Sequence, residues 1–194
     1  IKEPVGTYGF TSRDIGPGNC LIDSWVRKNS KYKFDKDGLL ASSGNRNDII
    51  FEQAQELFSN RQNQKSLSFD VNDFDVSFAR GLSLEDGAAT LTDFTARIIG
   101  TTVLSLLSNI SNKIWKVIVC GGGRKNKILI DKIKKNSLKN IIFQPIDDYG
   151  INGDFVESQA FALLAIRSIL KLPISFPDTT GCLKPCSGGE LIKD

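Results

Sequence analysis

Histidine and methionine are both absent from this 194-residue chain, and tryptophan occurs only twice. The four cysteines, at positions 20, 120, 182 and 186, are too few and too irregular for a secreted disulfide scaffold, so a reducing, cytoplasmic compartment is expected. Cys182 and Cys186 are half a metal site at most, because no histidine and no second close cysteine pair can complete tetrahedral zinc ligation. No apolar run approaches the roughly 20 residues that span a bilayer, and no basic segment followed by an apolar core opens the chain. Ile1 stands where a methionine would start translation, so the chain reads as a piece of a longer protein.

What is present fits a globular chain with one domain. Hydrophobic residues make up 40%, enough for a sizeable core, and 25 basic against 22 acidic residues leave a formal charge of +3. The lysines gather in residues 125–139 without interleaved aromatics, which points to a solvated helix face rather than a nucleic-acid footprint. No internal repeat or low-complexity tract is visible.

The most informative stretch is Val117-Ile118-Val119-Cys120-Gly121-Gly122-Gly123-Arg124-Lys125-Asn126. An apolar strand runs into three glycines and then a helix, so a flat or phosphorylated ligand can approach the backbone and the helix N-terminus. The alternative is a tight turn. A second turn-to-helix junction lies at Asp14-Ile15-Gly16-Pro17-Gly18-Asn19, followed by Leu21, Ile22, Trp25 and Val26 at helical spacing. There a carboxylate can serve as a base or hold metal-bound water, and the glycine backbone can admit phosphate oxygens. The plain alternative is a Pro-Gly turn with Asp14 as a solvated or capping acid.

Between these junctions, Asp35-Lys36-Asp37-Gly38 resembles the start of a calcium loop but lacks the closing glutamate, so it reads as a turn. Ile50, Ala54, Leu57 and Phe58 predict a helix over about 47–58, and 59–80 is expected to be a connector. Ser83 and Asp86 form a capping pair for a helix through about Leu107, with Leu91, Phe94 and Ile98 inward. A break at 112–114, a strand over Trp115–Cys120, a helix carrying Ile128, Leu129 and Ile133, and a strand over Ile141–Phe143 predict a parallel sheet with a right-handed crossover. After the turn Asp147–Gly150, residues 154–171 form a helix apolar nearly all round, expected at the centre of the core, with Asp154 and Glu157 spaced as a capping box. From Pro177 onward the tail reads as loop.

Five stretches together resemble the anhydro-N-acetylmuramic acid kinase family of the actin/hexokinase/Hsp70 superfamily. They are Asp14–Asn19, Asp86–Ala96, Val119–Asn126, Asp154–Ala162 and the Pro-x-Thr-Thr-Gly element ending at Gly181, in the family's order and across nearly the whole chain. The resemblance implies an α/β fold: the C-terminal lobe of an actin/hexokinase-like (ribonuclease H-like) ATPase, with a mixed sheet and crossover helices. Residues 1–194 then form the nucleotide-binding lobe of a two-lobe sugar kinase whose N-terminal lobe is absent. The implied reaction uses ATP and Mg2+ on 1,6-anhydro-N-acetylmuramic acid in cell-wall recycling: water opens the anhydro ring and carbon 6 becomes phosphorylated. Asp14 matches the family's general base; Gly16, Gly18 and Asn19 match a phosphate loop. Gly121, Gly122, Gly123 and Asn126 match the adenosine-side loop, and Glu157 matches an acid near the sugar. The expected partners are the amino sugar, ATP and the missing lobe; a homodimer is one assembly compatible with the reading, and the sequence itself does not fix the oligomeric state.

Two departures stand out. The family's other glycine- and threonine-bearing phosphate loop has no counterpart here, and Arg13-Asp14-Ile15 replaces the usual Phe-Asp-Thr. A cation beside the base is expected to lower its pKa or shift its position, and the chain alone is expected to be inactive. The competing readings are an inactive remnant or interaction module of the family, and a stand-alone Rossmann-like domain with Asp147 or Asp148 contacting a ribose.

Overall fold

A computed structural model describes residues 10, 12, 14–64, 74–107 and 114–192, with side chains at 60–64 excepted. Tyr8, Gly9, Arg13, residues 65–73 of the expected connector and residues 112–113 of the expected break lie outside the described residues. The architecture is mixed α/β. In chain order come α1 (Cys20–Asn29), α2 (Leu39–Ser43), α3 (Asp48–Gln64), α4 (Leu84–Leu107), β1 (Trp115–Val119), α5 (Lys127–Lys135), β2 (Ile141–Pro145), α6 (Val156–Ile169) and the short α7 (Pro177–Thr180).

The helix α4 is the spine. Ser83 Oγ accepts from Asp86 N at 3.1 Å, so the serine caps the first turn as its spacing predicts. The Asp86 carboxylate does not complete the reciprocal box; it accepts instead from the Asn45 amide at 2.7 Å, tying the α2–α3 link to the same turn. Leu91, Phe94 and Ile98 are buried as expected, in one core with Ile22 and Trp25 of α1 and Phe51 of α3. Trp25 also donates its indole N–H to the Leu84 carbonyl at 2.9 Å. A methyl group at Gly87 would fall inside that indole, so glycine here is what lets α1 and α4 close.

Between α1 and α2 the Asp35 carboxylate, 4% exposed, accepts from the amides of Leu40 and Ala41 at 2.8 and 3.0 Å. The expected turn is therefore a buried cap for α2. The helix α3 runs past the expected end at Phe58, and its inward face is rotated from the expected one: Phe51, Ala54 and Phe58 are buried, whereas Leu57 is exposed. Two contacts set that rotation. Asn47 Oδ1 accepts from Ile50 N at 3.0 Å, and the Arg46 guanidinium lies 4.5 Å from the Phe51 ring centroid, covering it from outside.

The sheet consists of β1 and β2, parallel, with Trp115 opposite Ile141 and Val119 opposite Pro145. The expected crossover is α5, whose Leu129 and Ile133 are buried against the helical core. In contrast, α6 corrects the sequence expectation of a core helix. None of its residues is buried, and Phe161, Leu163 and Ile166 are 65%, 57% and 55% exposed. The reason is geometric: fourteen helical residues run about 21 Å. Among the described residues no helix or strand packs along that length, and the two-stranded sheet does not cover it. Nor does the expected capping box form: α6 starts at Val156, and Asp154 is engaged elsewhere. The tail also contains one short helix, α7, opened by Pro177 and closed by Gly181 at φ +71°. No helix among the described residues is long and apolar enough to cross a membrane.

Candidate nucleotide-binding site

Both strands end at the same level, so the loops after Val119 and Pro145 emerge side by side. The first begins with Gly121 at φ +72° and ψ −179°, a conformation closed to residues with a Cβ, and its amide donates to the Gly153 carbonyl at 3.0 Å. A single 3-10 turn, Gly122–Lys125, leads to Asn126. Asn126 is 3% exposed and caps α5, its Oδ1 accepting from Leu129 N at 3.0 Å. Its other amide atom, Nδ2, is buried with no partner among the described residues.

One side chain holds this loop in shape. The Arg124 guanidinium, 7% exposed, grips Asp147 in a fork, with Nε to Oδ2 at 2.6 Å and Nη2 to Oδ1 at 2.9 Å. Its Nη1 donates both to Asp154 Oδ1 at 2.6 Å and to the Gly121 carbonyl at 2.9 Å. Lys125 Nζ completes the cluster on Asp154 Oδ2 at 2.5 Å. The loop after β1, the loop after β2 and the entry to α6 thus share one cation. The Arg124 hydrogen bonds hold the Asp147 carboxyl down at about 2, and Arg124 with Lys125 lowers Asp154 as well. The same two carboxylates raise the Arg124 pKa further.

The acid response follows. Folded-state pKa values below the ordinary 3.8 mean that the clamp contributes fully above that value and is lost as pH falls toward about 2. The thermal midpoint of the wild-type chain is expected to drop more steeply across that window than that of Asp147→Asn. Parallel curves would remove the clamp from the stability of the loop.

The second loop approaches from α1. Gly18 sits at φ +55°, and the Cys20 amide donates to the Pro17 carbonyl at 3.0 Å, closing the turn that starts α1. Gly16 packs against the helical spine, since a Cβ there would lie 3.1 Å from Ile98 Cγ2 and 3.3 Å from Ile99 Cγ1. Asn19 makes no side-chain cap on α1; instead its amide lies 3.9 Å from where a Cβ of Gly123 would stand, with Oδ1 buried and unpartnered among the described residues. Nothing lies within 4 Å of the corresponding positions at Gly121 and Gly122. The two glycine loops therefore meet at Asn19 and Gly123 beside open backbone at Gly121 and Gly122, with Asn19 Oδ1 unpaired at the meeting point, whereas the Asn126 amide lies against Gly38 of the turn before α2.

Of the residues singled out in the sequence, Gly16, Gly18, Asn19, Gly121, Gly122, Gly123 and Asn126 fall on these two loops. Asp14 is exposed at the outer end of the first. Glu157 is exposed on the first turn of α6, three residues beyond the clamped Asp154. The clamp itself was not anticipated. Its only signal in the sequence is an arginine directly after the glycines, with aspartates opening both neighbouring turns. Asp23, one turn into α1 from Asn19, was also missed; burial pushes its carboxyl up, Arg27 opposes this and the Asp35 charge adds to it.

A sequence profile of the anhydro-N-acetylmuramic acid kinase family matches residues 5–194. The chain belongs to this family. It is 52% identical over 183 residues to an anhydro-N-acetylmuramic acid kinase of Pelagibacter ubique, covering 94% of this chain and 49% of that relative. The enzyme of the same name from Zymomonas mobilis is 41% identical over 179 residues, 92% of this chain and 47% of the relative. A Brucella anthropi relative, again an anhydro-N-acetylmuramic acid kinase, is 36% identical over 188 residues, 96% and 48% of the two chains. The chain thus spans about half the length of the family relatives it matches. The family assignment also bears on the Rossmann-like alternative: Asp147, one of its two ribose-contacting candidates, has both carboxylate oxygens on Arg124.

Proposed function

We propose that this chain is the C-terminal, nucleotide-binding part of a kinase. In this reading the whole enzyme converts 1,6-anhydro-N-acetylmuramic acid, ATP and water to N-acetylmuramic acid 6-phosphate and ADP during peptidoglycan recycling. The observation that carries the reading is the pair of glycine loops meeting at Asn19 and Gly123, which leave space at Gly121 and Gly122 and an unpaired oxygen on Asn19. Phosphoryl transfer asks mainly for positioned donors, and backbone amides on side-chain-free residues supply them at close range. Gly16, Gly18 and Asn19 would orient the phosphates, and Gly121–Gly123 with Asn126 the adenosine side. Asp14 would take the proton of the attacking water, and Glu157 would contact the sugar.

Among the described residues no group of three or more metal-ligating side chains exists. Mg2+ suits such a site when the nucleotide's own phosphates and water provide most of its oxygens, and bound there it would offset the charge of the transferring group.

In the same reading the fold is the C-terminal lobe of an actin/hexokinase-like ATPase. The exposed α6 helix supports it: Phe161, Leu163, Ile166 and Ile169 make it apolar round much of its circumference, the kind of surface that the remainder of a longer polypeptide covers. That surface is also why the chain by itself is expected to be inactive.

The test is ADP formation with 1,6-anhydro-N-acetylmuramic acid, ATP and Mg2+, using this chain alone and mixed with the separately prepared N-terminal half of the Pelagibacter relative. Activity is expected only in the mixture, together with reduced binding of an apolar dye to the chain. A mixture that associates yet stays silent would overturn the kinase reading and favour a remnant.

A further inference from the structure

Beyond the site, the tail holds a pair of thiols that the kinase reading does not use. Cys182 follows Gly181, the left-handed residue that ends α7, and the Gly181 amide donates to the Pro177 carbonyl at 3.1 Å. Cys186 is pinned from the other side: its amide donates to the Ser175 carbonyl at 3.1 Å, and its carbonyl accepts from Ile174 and Ser175 at 2.9 and 3.2 Å. The five-residue loop 182–186 is therefore fastened at both ends, by Gly181 on Pro177 and by Cys186 on Ser175, and the two cysteine side chains are close enough across it to interact. Cys186 is exposed, Cys182 half-buried, and Leu183 between them is wholly in solvent. Both thiols are free.

From this geometry we infer that Cys182 and Cys186 are a modification site: a thiol pair that takes up a reversible disulfide by exchange with a low-molecular-weight disulfide. A two-thiol site with no third metal-ligating residue among the described residues suits this chemistry. The balance is simple. The Cys186 thiolate attacks one sulfur of R–S–S–R, forming a mixed disulfide and expelling one RS−, which takes the Cys186 proton. The Cys182 thiolate then attacks the Cys186 sulfur, forming the internal disulfide and expelling the second RS−, which takes the Cys182 proton. Two cysteine thiols are oxidised and one external disulfide is reduced to two thiols. Desolvation and the neighbouring Cys182 sulfur hold the Cys186 thiol above its ordinary value, so exchange quickens as pH rises.

The loop is well placed to report its oxidation state. It leaves the turn 176–180, where the Asp178 carbonyl accepts from Ser12 N at 3.1 Å and Phe176 meets Phe10 edge-on at 5.0 Å. Ser12 is two residues before Asp14.

The reduced chain is incubated with oxidised glutathione, its remaining thiols are labelled with a maleimide, and tryptic peptides are read by mass. Because Pro185 follows Lys184, trypsin leaves both cysteines in one peptide. The expected result is loss of two of the four free thiols, with the 182–186 peptide lighter by two hydrogens and Cys20 and Cys120 still labelled. Pairing should run at least about tenfold faster in the folded chain than in urea, because the fold holds the sulfurs together. Cys182→Ser should stop at a stable glutathione adduct on Cys186. An unresolved adduct in the wild-type chain, or equal rates folded and unfolded, would overturn the inference.

Discussion

Asp14→Asn in the full-length enzyme is expected to lower phosphorylation of the anhydro-sugar by about 10²–10⁴-fold, the usual contribution of a positioned general base. ATP affinity should change little. The separation follows from the layout: Asp14 is exposed at the outer end of its loop, while the backbone that would face the phosphates begins at Gly16 and is anchored on Ile98 and Ile99. Asparagine keeps the size and a hydrogen-bonding oxygen but cannot accept a proton near neutral pH, so only the chemical step should suffer. Turnover by coupled ADP release and nucleotide binding by calorimetry measure the two halves independently. Equal losses in both would mean that Asp14 shapes the loop instead of moving a proton.

Trp25→Ala should cost about 3–5 kcal/mol of folding stability, the range for truncating a large buried aromatic. Trp25 is 4% exposed, fills the space over Gly87 and donates to the Leu84 carbonyl, so its loss leaves both a cavity and an unpaired acceptor at the start of α4. The reciprocal change, Gly87→Ala, should cost about 1–3 kcal/mol by overpacking the same contact. Because α1 begins directly after Asn19, loosening α1 should also blur the glycine loop, seen as weakened ATP binding at temperatures where the chain is still folded. Urea midpoints of the two single variants and the double variant test the pairing. Independent additive effects would show that the indole and the glycine do not share one contact.

Most of the helical core was legible because its signals are local. Leu21, Ile22, Trp25 and Val26 repeat at helical spacing, and Ser83 stands where a cap must, so α1 and the start of α4 follow from short stretches of chain. The strand, triple glycine, helix and strand also predicted the parallel pair correctly. Three features were not legible for a common reason: each depends on something distant in sequence. The rotation of α3 comes from Arg46 lying over Phe51, which periodicity alone does not reveal. The clamp joins Arg124 to Asp147 and Asp154 across two loops, and no spacing rule marks those three as partners. The apolar residues of α6 do predict burial, but against a surface that these residues do not build. Within the candidate site, the glycines were readable as turn chemistry, whereas the unpaired oxygen of Asn19 emerges only once both loops are seen to meet.

The helix α4 touches the first loop directly and carries the second through α5, the helix that the triple glycine opens. Gly16 of the first loop sits against Ile98 and Ile99, while Gly100, one position further on, lets the corner after α5 press in at Asn136. The two loops are therefore mounted on one shaft. If the enzyme closes around its substrates by a hinge, a tilt of α4 carries the loop 14–19 and the triple-glycine loop together, and the contact between Asn19 and Gly123 is kept throughout the stroke. Closure would then change what faces the pair from outside and leave the pair itself as a rigid jaw.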